Sequence, residues 1–64
     1  MDAFPIGSLV RIKDEPASPL MTVIGHSKNG RVWVEFERQT GAITRLEEAS
    51  ISPLLLERIH DGHS

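Results

Sequence analysis

The stretch Gly30-Arg31-Val32-Trp33-Val34-Glu35-Phe36 decides the fold of this 64-residue chain. Its apolar and polar residues alternate strictly, so Val32, Val34 and Phe36 belong to one face of a β-strand and Arg31, Trp33 and Glu35 to the other. The first face reads as the middle of a small β-core. The second sets the chain's only Trp between opposite charges, on the side that a lone sheet leaves to water.

Working outward, Ser8 to Lys13 alternates in the same way. Val10 and Ile12 are assigned to the core, because the opposite choice would bury Arg11 and Lys13. Gly7, ahead of them, suits a turn that needs positive φ. Leu20-Met21-Thr22-Val23-Ile24 is rich in β-branched residues and forms the second strand; both of its faces carry large apolar residues, so alternation leaves the facing open, and Met21 and Val23 are placed inward over Leu20, Thr22 and Ile24. Between these two runs, Asp14-Glu15-Pro16-Ala17-Ser18-Pro19 is a loop stiffened by its prolines. Gly25 to Gly30 ends in Asn29-Gly30, a strong hairpin signal, and a type I′ turn would give both residues positive φ.

Beyond Phe36 the pattern weakens. Glu37 to Gly41 reads as a polar turn, Ala42 to Leu46 as a fourth strand, and Leu46 to Ser50 as a single helical or 3-10 turn. Ile51 to Leu55 is assigned to a fifth strand with Pro53 near its start. The other reading makes Ser52 an N-cap and Pro53 the first helical residue. His60 to Ser64 is expected to be a flexible tail following one domain over residues 4–59. Four or five short strands without a long helix make an all-β chain. At this length that is an SH3-like barrel of about five antiparallel strands, closed so that no sheet edge is left open.

Composition bounds the function. Lys and Arg number seven against nine Asp and Glu, a formal charge of −2, and Cys is absent. Up to Phe36, Arg11, Lys13, Lys28 and Arg31 face Asp2, Asp14, Glu15 and Glu35. After it, Arg38, Arg45 and Arg58 face Glu37, Glu47, Glu48, Glu57 and Asp61. Neither part is the basic block of a protein that binds mainly through phosphates. No stretch is long enough to span a bilayer, and Met1-Asp2-Ala3 begins with an acid where a signal peptide carries basic charge. A cytoplasmic protein without a membrane partner is expected.

The segments Gly7-x-x-Val10-Arg11-x-Lys13, Ser18-Pro19-Leu20-Met21-Thr22-Val23 and Gly30-x-Val32-Trp33-Val34-x-Phe36 resemble the small bacterial YodC-like proteins. In that uncharacterised group a G-x-x-V-x-L-K strand precedes G-G-P-x-M-T-V and then a Trp-containing V-x-V-x-W-F strand. The resemblance spans about Phe4 to Pro53, and Pro-Leu-Met-Thr-Val is its most specific piece. Ala17 and Ser18 stand where the group carries glycines, and Trp33 lies three residues before Phe36 instead of beside it.

A second pattern comprises Ile6-Gly7-Ser8-Leu9-Val10, Phe36, Thr40-Gly41, Arg45 and Ile51-Ser52-Pro53-Leu54. It is similar to the Tudor- or KOW-like barrels that precede some bacterial helicase-type ATPases. That likeness implies contact with nucleic acid, a polymerase or a neighbouring domain. Neither resemblance brings catalytic residues.

No serine sits in a nucleophile motif and no phosphate-binding Gly motif is present, so a non-enzymatic chain without a cofactor is expected. His60-x-x-His63 with Asp61 offers ligand types but lacks the four ordered donors of a structural zinc site. The remaining candidate is a binding face of Trp33, Arg31 and Glu35, with Arg11, Lys13 or Arg45 on adjoining strands. Trp and Arg are common interface anchors, and an exposed ring can stack on a base. The alternative role of Trp33 is to pack outside the barrel against Leu20, Ile24 or the C-terminal leucines. A binding module for a protein partner or a second copy is expected first, and a nucleic-acid module acting with a helicase or polymerase is the alternative.

Overall fold

The alternating runs pair into one antiparallel sheet in the computed structural model, which describes residues 4–59. The strands are β1 (Leu9–Ile12), β2 (Met21–His26), β3 (Val32–Thr40), β4 (Ile43–Ile51) and β5 (Leu56–Arg58), with a 3-10 turn at Pro53–Leu55. Their order is β4-β3-β2-β1-β5. Consecutive strands β1 to β4 form a meander, and β5 returns to the other side of β1. This is an all-β, SH3-like arrangement of five antiparallel strands. Closure is the point of difference: β4 and β5 are not paired, so the barrel is open and each of them leaves an edge.

One face of the sheet holds the core. Val10, Met21, Val23, Val32, Val34 and Leu56 are buried, and Phe4, Ile12, Phe36, Ala49 and Ile51 pack at its margin. The inward assignments from alternation hold for β1, β2 and β3. Ile12 and Phe36 differ in degree, since each is only partly buried. Among the described residues no polar or charged side chain is buried, so apolar burial alone supplies the core's stability.

β2 runs past Ile24 to His26, through residues expected to turn. A register shift lies between Val23, which pairs with Val34, and Gly25, which pairs with Trp33. The extra residue, Ile24, is a β-bulge that lets strand pairing continue while the inward set stays inward. His26 Nε2 donates to the Phe4 carbonyl at 2.6 Å, tethering the lead-in segment whose ring packs on the core.

The first hairpin is tight but is not type I′. Gly30 has φ +86, whereas Asn29 is not among the positive-φ residues. Gly30 N–H donates to Ser27 C=O, and Ser27 N–H donates to Arg31 C=O. This is the three-residue loop in which a type I-like turn is followed by one left-handed glycine. The Ser27 hydroxyl stabilises it by accepting from Arg31 N–H at 3.1 Å.

The greatest departure lies after Phe36. Glu37 to Thr40 are strand, not turn, and the chain reverses over Gly41-Ala42 alone, with Thr40 opposite Ile43. Gly41 takes φ +61 at the first central position of this two-residue loop. Leu46 to Ser50 continue β4 instead of forming a helical turn. Glu47 and Glu48 are ordinary helix formers, but Ala49 lies opposite Val34 and Ile51 opposite Val32. Pairing with a core strand overrides local propensity there.

The fifth strand also starts later than expected. Ile51 ends β4, and Ser52 caps the 3-10 turn by accepting from Leu54 N–H at 3.3 Å. Pro53 cannot donate to a ladder but suits the first position of a turn. The turn aims Leu56 into the core opposite Ile12, and Lys13 N–H donates to Leu55 C=O at 2.8 Å. The expected tail, residues 60–64, lies outside the described residues.

Leu56→Ala should lower unfolding free energy by about 2–5 kcal/mol, the range for removing a buried leucine. Leu54→Ala, at a position 81% exposed, should change it by less than about 0.5 kcal/mol. Urea titration followed by circular dichroism checks both. By the same assay Gly30→Val should cost at least about 1–2 kcal/mol, because a β-branched residue resists positive φ. Asn29→Ala, with no positive φ to replace, should cost less.

Candidate interaction surfaces

Strand register distributes the expected binding residues over both faces. On β3, Trp33 and Glu35 point away from the core. Trp33 is 41% exposed and lies between Gly25 of β2 and Ser50 of β4. Both directly paired residues are small, and the bulged Ile24 stands beside Gly25 on the β2 side. Arg31 precedes β3 on the same side. Its Nε donates to Ser50 Oγ at 3.2 Å and its Nη2 to Ser50 C=O at 2.9 Å. The guanidinium is thus fixed beside the residue that faces Trp33, with its order already established before any partner arrives. Glu35, partly buried, sits between Thr22 and Glu48 in the next outward row.

The other expected members do not join them. Arg11 projects outward from β1 beyond Leu9, whose row runs through Thr22 to Glu35, so it lies at the end of the face away from Trp33. It is also engaged: Arg11 Nε donates to Glu57 Oε1 at 2.9 Å. Lys13 lies further along, in the segment that leaves β1. Arg45 is on the opposite face, because it pairs with Arg38, which shares the inward parity of Val34 and Phe36. Among the expected cations, only Arg31 accompanies Trp33.

A second surface follows from the open barrel. On the inward face an apolar groove of about 300 Å³ is lined by Ile12, Pro19, Met21, Phe36, Ala49 and Ile51. Arg38 lines its rim and pairs with Glu47 at 3.3 Å. A more polar hollow of about 330 Å³ continues along the arm between Arg38, Thr40, Ile43, Arg45 and Glu47. The groove was not expected from sequence. Its signal is the parity of Arg45, Glu47, Ala49 and Ile51, which appears only once residues 46–50 are recognised as strand.

Several side chains with reactive chemistry are engaged in structural hydrogen bonds. Ser18 Oγ accepts from Ile12 N–H and Ser52 Oγ from Leu54 N–H, while Ser50 Oγ receives Arg31. His26 is bonded to backbone. No cluster of three His, Asp or Glu suited to a metal occurs among the described residues, and His60 and His63 lie outside them. No helix among the described residues is long and apolar enough to cross a membrane.

As the chain's only tryptophan, Trp33 reports directly on its own surroundings. Acrylamide should quench native fluorescence at a substantial fraction of the rate seen in urea, whereas a buried indole would be strongly protected.

Comparison with known proteins finds no matching family model, no matching curated protein and no matching solved structure.

Proposed function

We propose that the chain is a non-enzymatic binding module that engages a protein partner through the outward face around Trp33. The observation that carries this reading is the half-open indole beside an Arg31 guanidinium already held by Ser50. Trp and Arg are the residue types that most often dominate interface energies, and a pre-ordered side chain loses less entropy on binding. The absence of cysteine from the sequence fits a cytoplasmic setting.

The nucleic-acid alternative draws less support. Phosphate-driven binding needs cations gathered along one track. Here Arg11 is paired with Glu57, Arg38 with Glu47, and Arg45 lies on the face opposite Trp33.

Trp33→Ala should remain folded by circular dichroism and lose partner binding by on the order of 30-fold or more, the effect of a hot-spot residue. Arg31→Ala should weaken the same contact less. A Trp33→Ala protein that retains every partner captured by the wild type would refute the reading. At low salt, random duplex DNA should not bind with submicromolar affinity; if it did, the nucleic-acid alternative would replace it.

A further inference from the structure

We propose that the free edge of β4 pairs, antiparallel, with β4 of a second copy of this chain, about a two-fold axis at Leu46. This surface is distinct from the Trp33 face, and its test does not depend on that reading.

β4 is the longest unpaired edge in the sheet. It spans nine residues, and only its β3 side is hydrogen-bonded. Two large apolar residues on it are exposed, Ile43 at 58% and Leu46 at 66%. Arg45 has no ion-pair partner among the described residues and stands opposite another cation, Arg38. Each of these features is unfavourable, or at best idle, in an isolated chain.

A two-fold axis perpendicular to the sheet keeps the two inward faces on the same side, so only residues of matching parity can stand opposite each other. Centred on Leu46, that operation sets Leu46 against Leu46 of the second copy on the outward face. On the inward face it sets Arg45 against Glu47 and Glu47 against Arg45. One step further out, Ile43 meets Ala49, which lines the apolar groove. Both exposed apolar residues and both unlike charges are therefore satisfied in a single register.

Moving the centre by one residue destroys the match. At residue 45 it opposes Arg45 to itself, and at residue 47 it opposes Glu47 to itself, while Leu46 then faces Thr44 or Glu48. Charges on an edge strand usually guard it against pairing. Here the triplet Arg45-Leu46-Glu47 is self-complementary, so the same charges select one partner and one register. Glu47 already forms an ion pair with Arg38 through Oε2, and Oε1 faces no cation within the chain's own ion pairs among the described residues.

The contact is small, so the expected dimer is concentration-dependent. Sedimentation velocity of the whole chain should show mass rising from one towards two copies with concentration. Arg45→Glu should weaken association by roughly tenfold or more, since it sets like charges opposite each other twice. Adding Glu47→Arg to that variant should restore association, a recovery that a merely damaged fold would not show.

Register is read by cross-linking, which the lack of native cysteine makes unambiguous. Opposed Cα atoms in an antiparallel pair are about 4.5–5.5 Å apart, within disulfide reach. Leu46→Cys should therefore oxidise rapidly to a covalent dimer. Glu48→Cys, whose copies would be about 14 Å apart at roughly 3.4 Å per residue, should not. A wild-type chain that stays monomeric at its highest soluble concentration, or Leu46→Cys and Glu48→Cys proteins that cross-link equally, would overturn the proposal.

Discussion

A single inward row, Val34 of β3 flanked by Val23 of β2 and Ala49 of β4, is the constraint on which the rest of this molecule depends. The chain has no cysteine, and among the described residues the buried side chains are six, all apolar. A domain of this size sits near the lower limit of self-sufficient folding, so each strand must contribute to that shared face. The bulge at Ile24 preserves the inward set on β2 while the strand continues, and Ala49 carries the core row from Val34 onto β4. The 3-10 turn after Ser52 serves the same end. It delivers Leu56 to the core opposite Ile12, which a straight run from Ile51 through Pro53 would not do.

What the core does not consume becomes available surface. β3 and β4 extend together beyond the end of β2, since Phe36 to Thr40 pair only with Ile43 to Glu47. Core packing therefore fades along the arm, and its inward face changes from apolar at Phe36, Ala49 and Ile51 to charged at Arg38, Arg45 and Glu47. The unpaired β4–β5 boundary leaves the groove beside that transition. The outward face has a different character. There Trp33 stands between two small residues, with Arg31 already bonded to Ser50.

Electrostatics separates these surfaces more than it stabilises them. The Arg11–Glu57 and Arg38–Glu47 pairs are substantially exposed, so each contributes little to stability. Their consequence is positional. They occupy two of the arginines and leave Arg31 and Arg45 on opposite faces. A near-neutral composition is thus matched by a dispersed charge pattern, a combination better suited to local protein contacts than to tracking a polyanion.

The sequence by itself determined the all-β class, the strands around Val10, Val23 and Val34, and the inward faces of the first and third of them. In those segments each residue's partition between core and water is written in a local alternation of period two. It also located the left-handed glycines Gly7 and Gly30, because glycine meets no steric cost at positive φ. Only the tertiary structure decided that Glu47 and Glu48 are strand, that β5 begins at Leu56, and that the barrel stays open. Leu46 to Ser50 carry helix-forming residues, and a strand there is stable only because Trp33 to Glu37 of β3 lie opposite, with Ala49 set against Val34 in the core row. The binding residues divide the same way. Trp33, Arg31 and Glu35 are neighbours in sequence and share a face by parity alone. Whether Arg11 or Arg45 joins them depends on register between strands, which arises from pairing across the sheet and is not encoded in either strand separately.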